Sequence, residues 1–483
     1  MIQPADRVGS ARAAVSFYYG ARQRKETCPS FWLINSPWVA VAPFTSFTVA
    51  RVSCFHGRGA VHCLRMGRRF ERTGMKSVGE LAETAEIKEC LQWFDRNKQW
   101  LNERHLQLCK IPAPTFREQQ RAAWMVTQLT ELGCDVHFDG VGNVVAKVPG
   151  LFQGPYIALT AHLDTVLSPR IPEDISVGAD GKFYGPGVSD NGAGLAALLA
   201  IARVFPSCSS LRDFRCGLLL IANVGEEGEG NLSGMRWLCQ KSPLARNIRA
   251  FLVLDGPAMD HITCRALESR RFEISFSGQG GHSWNDRGIA NPICALSRLI
   301  TIFCDQAAAL TSSTNPRTAY NFGVIEGGTS VNAIPSLASV KLDIRSEDPS
   351  HIEKLALLLG KSAADAREIE NRRVNASKLT LKIKEIGRRP GGAISESSPL
   401  LRHLRAVDAY FGIRARLDCS STDANIPLSM GLPAVSIGAG GQGGGAHTHS
   451  EWFHPQGREI GLKRIFLSLC LLMQDPEVAA IAE

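Results

Sequence analysis

Tyr156-Ile-Ala-Leu-Thr-Ala-His-Leu-Asp164 begins as a short apolar run and closes on a histidine and an acid two residues apart. A run of this length, rich in residues that suit a pleated surface and bounded by turn formers, reads as a strand buried on both faces. Three more runs have the same texture, at residues 217–222, 251–254 and 434–437. Between them lies a small-residue helical pattern at 194–204, and another helical pattern at 118–132 stops at Gly133. Strands that alternate with helices predict an α/β fold, a mostly parallel mixed sheet flanked by helices.

Working outward, residues 266–391 have a different texture. Polar and apolar residues alternate at 271–277 and 338–344, and helical patterns fill 293–303 and 352–369. Two helices with antiparallel strands predict an inserted α+β module, after which the strand–helix rhythm resumes. The expected organisation is therefore a larger domain in two parts, a first at 75–265 and a second at 392–483, with the insert at 266–391 between them. An amphipathic helical pattern runs through Ile87, Leu91, Trp93, Phe94 and Trp100 at the start of the first part.

Residues 1–74 stand apart. They hold 11 Lys and Arg against 3 Asp and Glu, which accounts for the whole formal charge of +8 and leaves 43 against 43 in the rest. A neutral body without a basic run excludes nucleic acid as its partner. The uncharged span at 30–50 is broken by Pro37 and Pro43, so no membrane span is expected there. The extension reads as a disordered arm, a targeting segment or a stretch outside the natural product, with Met75 as the start. The 14 cysteines are scattered singly without a CxxC, which predicts reduced thiols and a cytoplasmic address.

Chemistry collects just past the strand-like runs: His162 and Asp164, Asp190 with Asn191, Glu226 with Glu227, Asp255, and His447, His449 and Glu451. In an open α/β sheet, ligands gather outside the carboxyl ends of the strands, so these segments should converge. Acids gathered in a crevice repel one another unless cations neutralise them. Imidazole and carboxylate without thiolate favour Zn²⁺, with Mn²⁺ or Co²⁺ as substitutes, and a pair of ions sharing one carboxylate needs about five protein ligands. Taken singly, each segment could equally be a strand-end cap, and Glu226-Glu227 a solvated turn. Gly438-Ala-Gly-Gly-Gln-Gly443 fits the first half of a dinucleotide fingerprint but is followed by His447-Thr-His449 instead of a helix, which excludes that cofactor. No phosphate loop or nucleophile elbow occurs.

The chain resembles the co-catalytic zinc peptidases and amidohydrolases that include peptidase T, the glutamate carboxypeptidases, aminoacylase and the desuccinylases. The resemblance is carried by Thr160-Ala-His-Leu-Asp-Thr-Val166, Gly185-Pro-Gly-Val-Ser-Asp-Asn-Gly-Ala-Gly194, Ala222-Asn-Val-Gly-Glu-Glu-Gly228, Gly280-Gly-His-Ser-Trp284, Ser330-Val-Asn-Ala-Ile-Pro335, Asp343-Ile-Arg345, Ser421-Thr-Asp-Ala-Asn425 and His447-Thr448 leading to Glu451-Trp452. It implies one metal on His162, Asp190 and Asp255, and a second on the shared Asp190, Glu227 and His447, with a cis bond after Asp190. The choice of His447 over His449 rests on this resemblance alone. It further implies Asp164 orienting His162, Glu226 as general base, and hydrolysis of an amide through a metal-bridging hydroxide. His282 would reach across a homodimer built through the inserted lid, while Asn332 and Arg345 would grip the polar end of the substrate. From the residues themselves, Arg345 could instead pair with Glu347 or Asp348, and Asp423 has no assigned role. The expected activity is that of a two-zinc exopeptidase acting on short peptides, nearest to peptidase T, with N-acyl amino acid deacylation as the alternative.

Overall fold

The computed structural model describes residues 76–151, 154–208, 214–312, 315–375 and 377–480. The chain divides into two units, Met1–Phe70 and Glu71–Glu483, and the described residues belong to the second. The readings made for the basic extension and for Met75 lie outside the described residues.

Nine strands form the main sheet, in the order Asp135–Phe138, Val144–Lys147, Gly217–Asn223, Tyr156–His162, Ile248–Leu254, Ala434–Ile437, His261–Ala266 and Gly392–Ala393, with Arg416–Ser420 beside His261–Ala266. The four central strands, from Gly217–Asn223 to Ala434–Ile437, are mutually parallel, and their carboxyl ends therefore open on one rim. All seven residues of Tyr156–His162 are buried, because successive side chains enter different cores. Ile157, Leu159 and Ala161 join Leu198, Ile201 and Phe466 on one face, whereas Tyr156 and Ala158 join Met235 and Leu238 on the other. Helix Gly192–Val204 is apolar almost all round because it lies between the sheet and the outer helices.

The insert has a core of its own. Its antiparallel sheet runs Thr318–Gly327, Leu337–Ser346, Glu268–Ser277 and Thr380–Arg389. Phe272, Ile274, Phe276, Val340, Leu342 and Ile344 point to one face, where helices Pro292–Thr311 and Pro349–Arg372 cover them with Leu299, Phe303, Leu355 and Leu359. The opposite face alternates to partly exposed positions, the pattern of a sheet covered on one side. By length and composition Pro292–Thr311 could cross a membrane, yet Ala295, Leu296, Leu299, Phe303 and Ala307 are buried within the fold. The described cysteines are all free thiols.

One expected element divides in two. The pattern through Ile87 and Trp100 is two helices, Ala85–Arg96 and Lys98–Cys109, separated at Asn97. Both the backbone N–H and the side-chain amide of Asn97 donate to the carbonyl of Trp93, at 3.0 and 2.9 Å, closing the first helix before the second starts. A short helix, Val78–Ala82, precedes them behind a Ser77–Glu80 capping box that the sequence reading did not single out.

Candidate metal centre and active site

The site is assembled on the carboxyl-terminal rim of the parallel strands. His162 is the last residue of its strand, Asp255 follows Leu254 directly, and Glu226 and Glu227 lie on the turn after Gly217–Asn223. Asp190 comes from the turn before helix Gly192–Val204, and His447 from the loop beyond Ala434–Ile437. Asp190 lies between two imidazoles. Its Oδ1 is 3.0 Å from His162 Nε2, and its Oδ2 is 3.1 Å from His447 Nε2. His447 Nε2 is also 2.8 Å from Glu227 Oε1. His447 is held at φ +64°, an uncommon conformation for a residue with a side chain. The peptide between Asp190 and Asn191 is cis. Ligand atoms of His162, Asp190 and Glu227 all lie within 4.8 Å of one another, and Asp255 lines the adjoining cavity.

Supporting residues orient this group. His162 Nδ1 lies 2.9 Å from the Asp164 carbonyl, which turns Nε2 toward Asp190. The Asp164 carboxylate, fully buried, accepts the N–H groups of Glu226 and Glu227 at 3.0 Å each and the Thr115 hydroxyl at 2.9 Å. It thereby positions the acid pair as well as the histidine. Asn191 ties its turn to the neighbouring strand through the Leu254 carbonyl at 2.8 Å. Glu451 accepts the N–H groups of Gly187, Ser189 and Asp190, each at 2.8 Å. It lies in the segment from His447 to Trp452, but nothing in the spacing revealed that its carboxylate binds the Asp190 turn.

The electrostatics are those of crowded acids. Burial, followed by the Asp190 charge, pushes Asp255 up to about 7, and burial pushes Asp423 up to about 6. Burial opposes ionisation of Asp190 too, but the hydrogen bonds from His162 and His447 hold its pKa below the ordinary carboxylate value. The hydrogen bonds to Asp190 and Glu227 raise His447 to about 10. Glu226 is raised well above the usual range by burial, even though Arg389 faces it at 2.8 Å. An imidazole–carboxylate donor set carrying this excess of negative charge fits divalent cations of the Zn²⁺, Mn²⁺ or Co²⁺ type.

A cavity of about 350 Å³ opens from these acids. The rest of its lining is rich in hydroxyls and arginines, with Thr263, Ser420, Ser421, Thr422 and Ser436 beside His261, Arg271, Arg345 and Arg389. Asp343 holds two of the arginines, Arg271 at 2.9 Å and Arg345 at 2.6 Å, so Arg345 pairs with neither Glu347 nor Asp348. Arg389 also donates to the Glu226 carbonyl and to Ser421. It was missed in the sequence because its alternating strand ends in Arg388-Arg389, with no spacing to distinguish the buried arginine from the exposed one. His282 and Asn332 do not line this cavity. Both are exposed, His282 on the small ladder that pairs Gly281–His282 with Ala333–Ile334 and Asn332 immediately before its second strand. Asp423 accepts the Asn223 amide at 2.7 Å behind the site.

The model of peptidase family M20/M25/M40 matches residues 158–468. A succinyl-diaminopimelate desuccinylase of Bradyrhizobium sp. (strain ORS 278) is 25% identical over 240 residues, spanning 47% of this chain and 61% of that protein. Among solved structures, a tripeptidase from Staphylococcus aureus has a TM-score of 0.61 at 20% identity, covering 78% of this chain and 99% of its own. A dinuclear metal-binding peptidase from Bacillus subtilis has a TM-score of 0.54 at 16% identity, covering 78% and 98%.

Proposed function

Because the chain belongs to peptidase family M20/M25/M40 and is thereby a metal-dependent hydrolase, we propose that it is a two-metal exopeptidase that hydrolyses short peptides. The observation that carries this reading is the Asp190 carboxylate, whose two oxygens face two different imidazoles, an arrangement that suits a carboxylate shared between two ions. On this reading His162, Asp190 and Asp255 hold one ion, and Asp190, Glu227 and His447 hold the other. When bound, the ions supply an activated water and polarise the amide carbonyl, and Zn²⁺ suits the donor set, with Co²⁺ or Mn²⁺ as substitutes.

The chain's own groups do the rest. Glu226, buried beside the ligands and held by Arg389 at 2.8 Å, takes the proton of the attacking water and passes it to the leaving nitrogen. Asp164 keeps His162 and the Glu226–Glu227 turn in register. Arg345, braced by Asp343, offers its remaining guanidinium N–H groups to a free carboxylate on the substrate. His282 and Asn332 act on the site of a second copy, which would pair through the insert, with His282 donating to the developing oxyanion.

Metal analysis of the purified protein, joined to parallel assays of a tripeptide and an N-acyl amino acid, tests the reading. Two divalent ions per chain with faster turnover of the tripeptide are expected. Faster turnover of the N-acyl amino acid would establish the deacylase alternative, since the arginine-rich lining suits the free carboxylate of either substrate. A protein that hydrolyses amides undiminished after chelation would overturn both.

A further inference from the structure

Beneath the turn that carries Asp190, on residues that do not line the cavity, lies a buried polar pair. His105 is fully buried in helix Lys98–Cys109. Its Nε2 is 2.8 Å from the Val188 carbonyl, and its Nδ1 is 2.8 Å from Arg458 Nη2. A guanidinium only donates, so Nδ1 must accept and the ring proton must sit on Nε2, where it donates to Val188. We propose that His105 and Arg458 are positioning residues for the shared carboxylate: Arg458 locks the tautomer of His105, and His105 anchors the peptide plane that aims Asp190. This rests on the reading of Asp190 as the ligand common to both ions.

Three observations support the proposal. The Val188 carbonyl and the Ser189 N–H belong to one planar peptide unit. The carbonyl is taken by His105 and the N–H by Glu451 at 2.8 Å, so that plane is gripped at both edges one residue before Asp190. The ring is packed closely against the start of the helix that follows Asp190, for a Cβ placed on Gly192 would lie 2.7 Å from His105 Nε2 and 2.5 Å from Cys109 Sγ. Arg458 is buried without an ion pair among the described residues. Its Nε and Nη1 have no hydrogen-bond partner, and its guanidinium lies 4.5 Å from the centroid of the Phe453 ring. An unpaired buried cation costs stability that an apolar side chain of similar size would not. Its hydrogen bond to His105 is the function that offsets this. Burial, then the Arg458 charge, keeps His105 neutral, in agreement with the assigned tautomer.

The test uses the full chain, with Zn²⁺ affinity measured by competition against a chromogenic chelator. His105→Leu keeps the bulk but not the hydrogen bonds, and should loosen Zn²⁺ by about 10- to 100-fold, the range for groups that orient metal ligands. His105→Gln supplies one donor and one acceptor without charge, and should restore affinity to within about threefold, since the lost hydrogen bonds are remade. Arg458→Met should loosen Zn²⁺ in the same direction, and decides the matter should His105→Leu not fold. Leu129→Ala, a core change remote from the turn, should lower the melting temperature while leaving Zn²⁺ affinity alone. Wild-type affinity in His105→Leu, equal loss in the Gln and Leu variants, or equal loss in Leu129→Ala would overturn the proposal. Asp190→Asn separates the two readings: undiminished Zn²⁺ binding in that variant overturns the shared-ligand assignment itself.

Discussion

Glu226 is caught between burial, which favours its neutral form, and Arg389, which favours its charged form. A general base needs that balance, because it must hold and release a proton near neutral pH. Glu226→Gln should keep its metals while kcat falls by about 10² to 10⁴, read from metal content and initial rates; undiminished kcat would remove the assignment. The neighbouring acids give a pH signature. A carboxyl raised on folding, as Asp255 is to about 7 and Asp423 to about 6, stabilises the chain fully below its unfolded pKa, near 3.9. That contribution is lost as pH rises through the folded value. The stripped protein should therefore lose stability between about pH 4 and 7, and the rise in melting temperature on adding Zn²⁺ should grow across the same interval. His105 works in the opposite sense, since its folded pKa is depressed, but it does so with and without metal and cancels from the difference. A gain that shrank with rising pH would contradict this ledger. Single residues were legible where type and position coincided, as for Asp190. They were not where neighbours look alike: His447 and His449 differ only in that the turn at φ +64° brings Nε2 of the former to Asp190 and Glu227.

At the scale of elements, the central strands were legible because both of their faces are covered, leaving uninterrupted apolar runs in the chain. Helix boundaries were less so. A periodic pattern continues across Asn97 because both helices turn apolar residues to the same core, and only the double hydrogen bond to Trp93 reveals the break. Nor could the sequence show what joins helix Arg458–Gln474 to helix Pro399–Phe411. There Arg464 and Asp408 form a two-pronged buried pair at 2.6 and 2.7 Å. Removing one partner of such a pair strands the other charge, at a cost of about 3–5 kcal/mol. Asp408→Ala should lower the unfolding free energy by that amount in a denaturant titration; a loss under about 1 kcal/mol, the ceiling for most surface pairs, would mean that water reaches Arg464.

At the scale of the molecule, the cavity holds every proposed ligand except the buried His162, which stands behind it, while His282 and Asn332 face solvent elsewhere on the insert. If a second copy supplies His282, then His282→Ala and Glu226→Gln, each weak alone, should recover activity when mixed, up to about a quarter of the wild-type rate per chain, because complementary mixing restores one intact site per mixed dimer. Mixtures no more active than their components would exclude the exchange. What the sequence determined by itself was the α/β sheet with its insert and the identity of the groups on the sheet's rim, since burial on two faces and chemistry at strand ends are both written locally. The Arg389–Glu226 pair, the Glu451 grip on the Asp190 turn and the Arg458–His105 relay were decided only by the tertiary structure. Each joins groups more than a hundred residues apart, and a hydrogen bond between distant residues leaves no period or spacing in the chain that forms it.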